Sequence, residues 1–276
     1  MEDVILTNPN SERVKRIRAL VDNRSARKRA GLFVVEGPQG VREAVNYAPE
    51  LVQEVYATAV ALARYTEIAD AITAANIKLT QLAPEVSKQI SVNAQELIAV
   101  VKREPNQLGD WLTSGSKPKL IAILSNARDP GNVGTIIRVA DAFGADAVVL
   151  AGDTVELTNP KVVRSTAGSL FHVPVFSAAD LKEVVAQCQA AGLQVLAADG
   201  SADITLPQIK ESTLKNPTAW LFGNEAWGLA ESDRQLADAV VKVPIVGNAE
   251  SLNLATAATV CLWDTMQSQA SAAAPV

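Results

Sequence analysis

Residues 121–150 read IAILSNARDPGNVGTIIRVADAFGADAVVL, and the order of residue types along them decides the fold. Ile121, Ala122, Ile123 and Leu124 form an unbroken apolar run, the mark of a strand buried on both faces in a parallel sheet. Asp129-Pro130-Gly131-Asn132 ends it with turn residues, after which Val133, Ile136, Ile137 and Ala140 recur at helical spacing. A second apolar run closes the stretch, so the expected order is strand, loop, helix, strand. Arg138 falls off the apolar stripe of the helix. That puts a cation near a loop at the carboxyl end of a parallel strand, where open α/β sheets place ligands.

Two later stretches repeat the pattern. The apolar run 218–222 leads into Gly223-Asn224-Glu225-Ala226-Trp227-Gly228, and the run 240–243 leads into a loop ending Ser251-Leu252-Asn253. In a parallel sheet the loops 126–134, 223–228 and 245–253 leave by one edge and can converge on one pocket, with glycines permitting close backbone approach. Neither a Walker pattern nor GxGxxG is present, which leaves a nucleoside triphosphate or NAD site without support. No metal-ligand spacing occurs, and the single histidine, His172, reads as structural.

Outward from these loops, strands are expected at 171–176 and 193–197, and helices at 178–191 and 231–239. A final apolar helix runs to about 266, followed by a frayed tail from Ser268. Strands alternating with helices imply a mainly parallel sheet. The first hundred residues form a smaller α/β unit: helix 11–20, strand 32–35, a helix to 45, strand 51–57, an Ala-rich helix 60–75, strand 77–82, a short helix 84–90 and strand 95–102. Residues 103–119 have no sustained period and read as a linker, with Trp111 and Leu112 packing on one domain. The expected division is 1–103, a linker at 104–118, a second domain at 119–268 and a flexible tail at 269–276.

With 48% hydrophobic residues in 276, the chain can bury a proper core, and its length leans toward two domains. Cys188 and Cys261 lie in apolar contexts and read as buried thiols in a reducing compartment. There is no apolar run of membrane-spanning length, and the start lacks a signal-peptide layout, so a soluble, cytoplasmic protein without membrane partners is expected. The net charge of −5 argues against a nucleic-acid binder, but its distribution does not. Residues 11–30 carry eight basic residues against two acidic ones, the electrostatic footprint of a protein that grips a phosphate backbone; a solvated amphipathic helix is the alternative.

The three loops together resemble the motifs of the SpoU, or TrmH-type, branch of the SPOUT RNA methyltransferases. Asn126, Gly131-Asn132-Val133-Gly134 and Arg138 resemble the first motif. Leu221-Phe222-Gly223-Asn224-Glu225-Ala226-Trp227-Gly228-Leu229 resembles the second, and Val243-Pro244-Ile245 through Ser251-Leu252-Asn253-Leu254-Ala255 the third. Residues 24–37, with Phe33-Val34-Val35-Glu36-Gly37, resemble the ribosomal-protein-like substrate-binding domain of the ribosomal-RNA members. The resemblance implies a deep trefoil knot in the C-terminal domain, an obligate homodimer, and transfer of a methyl group from S-adenosylmethionine to a ribose 2′-hydroxyl, with ribosomal RNA as the substrate. A transfer-RNA methyltransferase and a non-catalytic RNA-binding factor are the alternatives, and housekeeping and antibiotic-resistance roles stay open.

On this resemblance the catalytic candidates are Arg138, Asn132, Glu225, Ser251 and Asn253. Cofactor contacts are expected from Leu221, Phe222, Gly223, Asn224, Ile245, Ser251, Leu252 and Leu254, and RNA contacts from Arg24, Arg27, Lys28, Arg29, Asn126 and Arg138. Asn132 and Asn253 can fix the ribose, fix each other, or cap their loops. Glu225 can hold Arg138, approach the cofactor's positive charge, or cap the helix near 231. Ser251 can bond Asn253 or the substrate, or cap the last helix. Trp227 is expected to pack in the core or in the knot rather than stack on a base.

Overall fold

The computed structural model describes residues 5–104, 106–115 and 117–273. The chain divides into two compact units: the first runs to Glu104 and takes in Thr158–His172, and the second holds the remainder.

The first unit contains α1 Glu12–Asp22, α2 Arg24–Ala30, β1 Leu32–Glu36, α3 Pro38–Tyr47, β2 Val52–Ala57, α4 Ala59–Arg64, α5 Thr66–Ala74, β3 Leu79–Gln81, α6 Pro84–Ile90 and β4 Leu97–Lys102. Its sheet has the order β1-β4-β2-β3, with β4 antiparallel to both neighbours and β2 parallel to β3. Alternation along the strands feeds two cores. Phe33, Val35, Leu97 and Ala99 pack with α3 and α5 through Val41, Ala44, Ile68 and Ile72. Val34, Ile98 and Val100 pack with α1 and α6 through Val14, Ile17, Leu20, Val86 and Ile90. The helix expected over 60–75 is broken at Tyr65, whose backbone (φ −116°, ψ 62°) separates α4 from α5.

The second unit opens with α7 Leu108–Thr113, inside the stretch without a sustained period. There Leu108 is buried in the second core, Trp111 and Leu112 pack against that core, and the Trp111 ring sits 5.4 Å from Phe176. Then come β5 Leu120–Ser125, α8 Pro130–Ala142 and β6 Ala147–Ala151; α9 Pro160–Ser165, which belongs to the first unit, follows. The chain continues with β7 Val175–Ala178, α10 Leu181–Ala190, β8 Gln194–Ala198, β9 Ile204–Thr205, α11 Leu206–Ile209, β10 Thr218–Phe222, α12 Glu231–Arg234, β11 Ala239–Lys242 and α13 Leu254–Ala273. The seven strands are all parallel, in the order β7-β6-β5-β10-β8-β11-β9. Every residue of β5, β6 and β10 is buried, as their continuous apolar runs require. The helix α13 packs on α8, β5 and β10, and Trp220 Nε1 donates to Thr265 Oγ1 at 2.8 Å.

Three boundaries differ from expectation. The strand expected at 171–176 is β7, starting at Val175. Phe171 ends a 3₁₀ turn and packs in the first unit's core, whereas Phe176 belongs to the second's, so no single strand can hold both. The helix expected over 231–239 is only α12, because Asp238 pairs with Val195: its N–H donates to the Val195 carbonyl and its carboxylate accepts the Val195 N–H. The last helix continues to Ala273, and Ser268, placed in the frayed tail, is buried and donates to the Asp264 carbonyl at 2.8 Å. Residues 274–276 of that tail lie outside the described residues.

Candidate active site

The loops after β5, β10 and β11 all leave from the carboxyl edge of the parallel sheet, with β5 and β10 adjacent and β8 between β10 and β11. Asp129 caps α8 by accepting the Asn132 N–H at 2.8 Å, with Pro130 at the first helical position. Glu225, from the β10 loop, accepts the Asp129 N–H at 3.0 Å, the Arg128 N–H at 3.1 Å and Asn132 Nδ2 at 3.3 Å. Asn132 Oδ1 accepts Asn253 Nδ2 at 2.9 Å, and Asn253 Oδ1 caps α13 by accepting the Ala255 and Thr256 N–H groups. One hydrogen-bonded line, Glu225 to Asn132 to Asn253, therefore stitches the three loops together. Each amide has its orientation fixed by what it must give and take.

The β10 loop is held tight around this line. Asn224 and Gly228 exchange both backbone hydrogen bonds, and Asn224 Nδ2 donates to the Asn126 carbonyl at 2.7 Å. A Cβ on Gly223 would lie 2.4 Å from the Gly228 carbonyl carbon, so only glycine fits there. Asn126 takes a left-handed backbone (φ 56°) and accepts the Asp153 N–H on its side chain, which ties the β5 loop to the segment after β6.

Residues 119–263 match the SpoU rRNA Methylase family, and residues 11–99 match the MRM3-like substrate binding domain. The chain belongs to the SpoU rRNA methylase family. A 23S rRNA (uridine(2479)-2′-O)-methyltransferase of Streptomyces viridochromogenes is 30% identical over 272 residues, covering 96% of this chain and 93% of that protein. The 23S rRNA (guanosine(2553)-2′-O)-methyltransferase RlmP of Bacillus subtilis is 31% identical over 238 residues, 86% of this chain and 89% of that one. Among solved structures, the SpoU methyltransferase AviRb from Streptomyces viridochromogenes in complex with the cofactor AdoMet has a TM-score of 0.80 at 30% identity, covering 95% of this chain and 99% of that one.

The SpoU motif residues divide into those the structure joins and those it leaves apart. Asn132, Glu225 and Asn253 form one network. Arg138 is exposed on α8 and Ser251 is exposed before α13; among the described residues neither side chain has a hydrogen bond or ion pair. Glu225 neither holds Arg138 nor caps α12: its hydrogen bonds go to the start of α8 and the loop before it. The cap of α13 is Asn253 and not Ser251, because the side-chain oxygen of Asn253 reaches the first free amides of the helix. Leu221, Phe222 and Gly223 are buried, and Ile245 is exposed.

An adenosyl sulfonium fits the loops after β10 and β11. Among the described residues the peptide groups of 244–252 have no backbone partner, which leaves donors and acceptors for an adenine edge. Residues 223–228 and 243–253 contain no lysine or arginine, and Glu225 and Glu250 are their charged groups, a balance that suits a cationic ligand.

Sequence reasoning missed three residues at this edge. Trp227, expected in the core or the knot, is 60% exposed with the Arg128 guanidinium 5.7 Å above its ring, and Arg128 Nη2 donates to Asp153 at 2.6 Å. The one signal was Arg128 itself, a cation inside the β5 loop. Asp199 directly follows β8, the strand between β10 and β11, and accepts the Ser201 N–H and hydroxyl and Arg234 Nη1. Burial pushes its carboxyl up, but the Ser201 hydrogen bonds and Arg234 outweigh that and hold it below the usual carboxylate value.

The basic segment is less free than its composition implies. Arg27, expected on the RNA side, is 6% exposed, and its guanidinium donates to the Leu20 and Val21 carbonyls at the end of α1. Asn23 explains this: it ends α1 and caps α2, so the chain turns and folds Arg27 back onto the open carbonyls. Arg13 pairs with Glu54. Arg16, Arg18, Arg24, Lys28 and Arg29 are exposed.

Proposed function

We infer that this chain transfers a methyl group from S-adenosylmethionine to a ribose 2′-hydroxyl of RNA, with ribosomal RNA as the substrate class. The observation that carries the reading is the Glu225–Asn132–Asn253 line joining three loops at one sheet edge, in a chain of the SpoU family whose relatives are named as 23S rRNA 2′-O-methyltransferases. Those names favour ribosomal over transfer RNA, and the intact network speaks against a non-catalytic factor.

The bound cofactor supplies an electrophilic methyl group on sulfonium sulfur. The chain must then orient a weakly nucleophilic hydroxyl in line with it and stabilise the charge that develops on oxygen. Arg138 serves that need as a fixed cation, since a guanidinium does not lose its proton at neutral pH. Asn132 is locked between Glu225 and Asn253, so it can meet a ribose without reorganising. Ser251, with its hydroxyl uncommitted, can add a hydrogen bond to cofactor or substrate. Trp227 offers a face for a neighbouring nucleobase, with Arg128 over the ring.

In this reading the first unit grips RNA through the exposed cations of α1 and α2, and 119–268 is the catalytic domain. A deep trefoil knot and a homodimer belong to it through the motif resemblance. The apolar surface left at Ile245, Val246 and Trp263 suits a second copy. No helix among the described residues is long and apolar enough to cross a membrane, and the proposed location, the cytoplasm, follows from the ribosomal RNA substrate.

The test is incubation with methyl-labelled donor and total RNA, followed by mapping of the modified nucleotide, alongside calorimetry with the donor alone. Label on a ribose 2′-oxygen of ribosomal RNA is expected, and Arg138→Ala should lose transfer while binding the donor as the wild type does. Donor binding without transfer, or label confined to transfer RNA, overturns the reading.

A further inference from the structure

Apart from the Glu225–Asn132–Asn253 line, a second charged cluster lies at the same sheet edge. The strand between β10 and β11 is β8, and Asp199 directly follows it. Its backbone N–H donates to the Val241 carbonyl of β11 at 3.0 Å. Its carboxylate faces the other neighbour: a Cβ on Gly228, in the loop after β10, would lie 3.6 Å from Asp199 Oδ2. Asp199 Oδ1 accepts the Ser201 N–H at 2.9 Å and the Ser201 hydroxyl at 2.6 Å, which holds the chain after β8 in a tight turn. Arg234, on α12 beyond the β10 loop, reaches back to this turn. Its Nη1 donates to Ser201 Oγ at 3.1 Å and to Asp199 Oδ2 at 3.4 Å, and its Nη2 donates to Glu231 at 2.6 Å. Glu231 also accepts Gln235 Nε2 at 3.1 Å.

Global stability does not account for this cluster. The Arg234 side chain is 26% exposed and that of Glu231 67%, and ion pairs at such exposure add little to folding. What a guanidinium fixes is relative position, because its planar fork directs two arms at once where a lysine brings one point charge. Here one arm holds the turn after β8 and the other holds α12. The Glu225–Asn132–Asn253 line joins the loops after β5, β10 and β11, and β8 is the strand between them that it leaves out.

We propose that Arg234 is a positioning residue for the methyl donor: by bridging Asp199 and Ser201 to Glu231, it holds the turn after β8 as a preformed wall between the loops after β10 and β11. The proposal rests on the donor site argued above. The Asp199 carboxylate is taken up by Ser201 and Arg234, so the cluster acts through the shape of the wall. A wall ordered in advance spares the donor the entropy of ordering it, and the gain appears as affinity.

The test compares the full-length wild type with Arg234→Met, which keeps an apolar stem, and Arg234→Lys. Calorimetry should show S-adenosylmethionine and S-adenosylhomocysteine both bound about tenfold more weakly by Arg234→Met, with part of the loss recovered in Arg234→Lys. In transfer assays the KM for the donor should rise while kcat at saturating donor and thermal unfolding stay at their wild-type values. In the donor-free wild type the Ser201 and Ala202 amides, bonded to the Asp199 carboxylate and carbonyl, should already be protected from hydrogen exchange, and Arg234→Met should release them. Unchanged donor affinity in Arg234→Met overturns the proposal. So does a loss confined to S-adenosylmethionine, which would mean that the cluster's charge attracts the sulfonium directly. Should Arg234→Met not fold, exchange in the wild type decides alone: Ser201 and Ala202 amides that are open without donor mean that no wall is preformed. A wild type that binds neither ligand removes the donor site and the wall together. Wild-type binding matched by both variants removes the wall and leaves the donor site standing.

Discussion

Asn253 donates its side-chain N–H to the Asn132 amide oxygen across 2.9 Å while its own Oδ1 caps the last helix. One side chain therefore carries a structural and a site-building bond, and two substitutions separate them. Asn253→Asp keeps a good N-cap acceptor but cannot donate to Asn132, so methyl transfer should fall about tenfold or more with thermal stability close to wild type. Asn253→Ala loses both, and denaturant unfolding should show a further loss of about 1 kcal/mol. If both variants lose activity and stability in the same proportion, the Asn132 bond has no separate role.

Gly223 is the second point of leverage. A Cβ there would lie 2.4 Å from both the carbon and the oxygen of the Gly228 carbonyl, and backbone on both sides cannot swing away as a flexible side chain would. Gly223→Ala should therefore open the Asn224–Gly228 pairing and abolish calorimetric binding of S-adenosylmethionine.

What the sequence made legible follows from what its patterns encode. The parallel sheet and the three loops were readable because each motif is a run of consecutive residues behind an apolar strand, and a parallel sheet delivers such runs to one edge. Side-chain commitments across the chain were not readable. Glu225 bonds to Arg128 and Asp129, far back along the chain, so its partner was open until β5 and β10 were known to be neighbours. Arg27 looked like any cation of a basic helix until the break at Asn23 turned it inward. Phe171 and Phe176 read as one strand because hydrophobicity does not say which of two cores a residue joins.

The exposed cations of α1 and α2 carry a prediction about salt. Val14, Ile17 and Leu20 of α1 are core residues, so the segment cannot simply be deleted. Substituting Arg16, Arg18, Lys28 and Arg29 by glutamine leaves the core untouched. For every RNA phosphate that the variant no longer neutralises, the slope of log affinity against log salt should flatten by about 0.7 to 0.9. An unchanged slope in the fourfold variant would put these cations off the RNA path.

The anchor of α1 on the sheet makes the first unit acid-sensitive. Glu54 accepts from Thr80 Oγ1 and Tyr56 Oη, each at 2.6 Å, and from Arg13 of α1. Burial pushes its carboxyl up, but the three hydrogen bonds from Thr80, Tyr56 and Arg13 together outweigh it and leave the pKa below its ordinary 4.5. A carboxylate with a folded pKa below its unfolded one stabilises the fold fully above the unfolded value, and that contribution fades as pH falls toward the folded value. Urea unfolding of the wild type and of Glu54→Gln, followed by a probe in the first unit, should differ by a constant amount above pH 4.5 and converge as pH falls below it. A gap that stays constant down to acid pH would mean that Glu54 acts through packing and not through its charge.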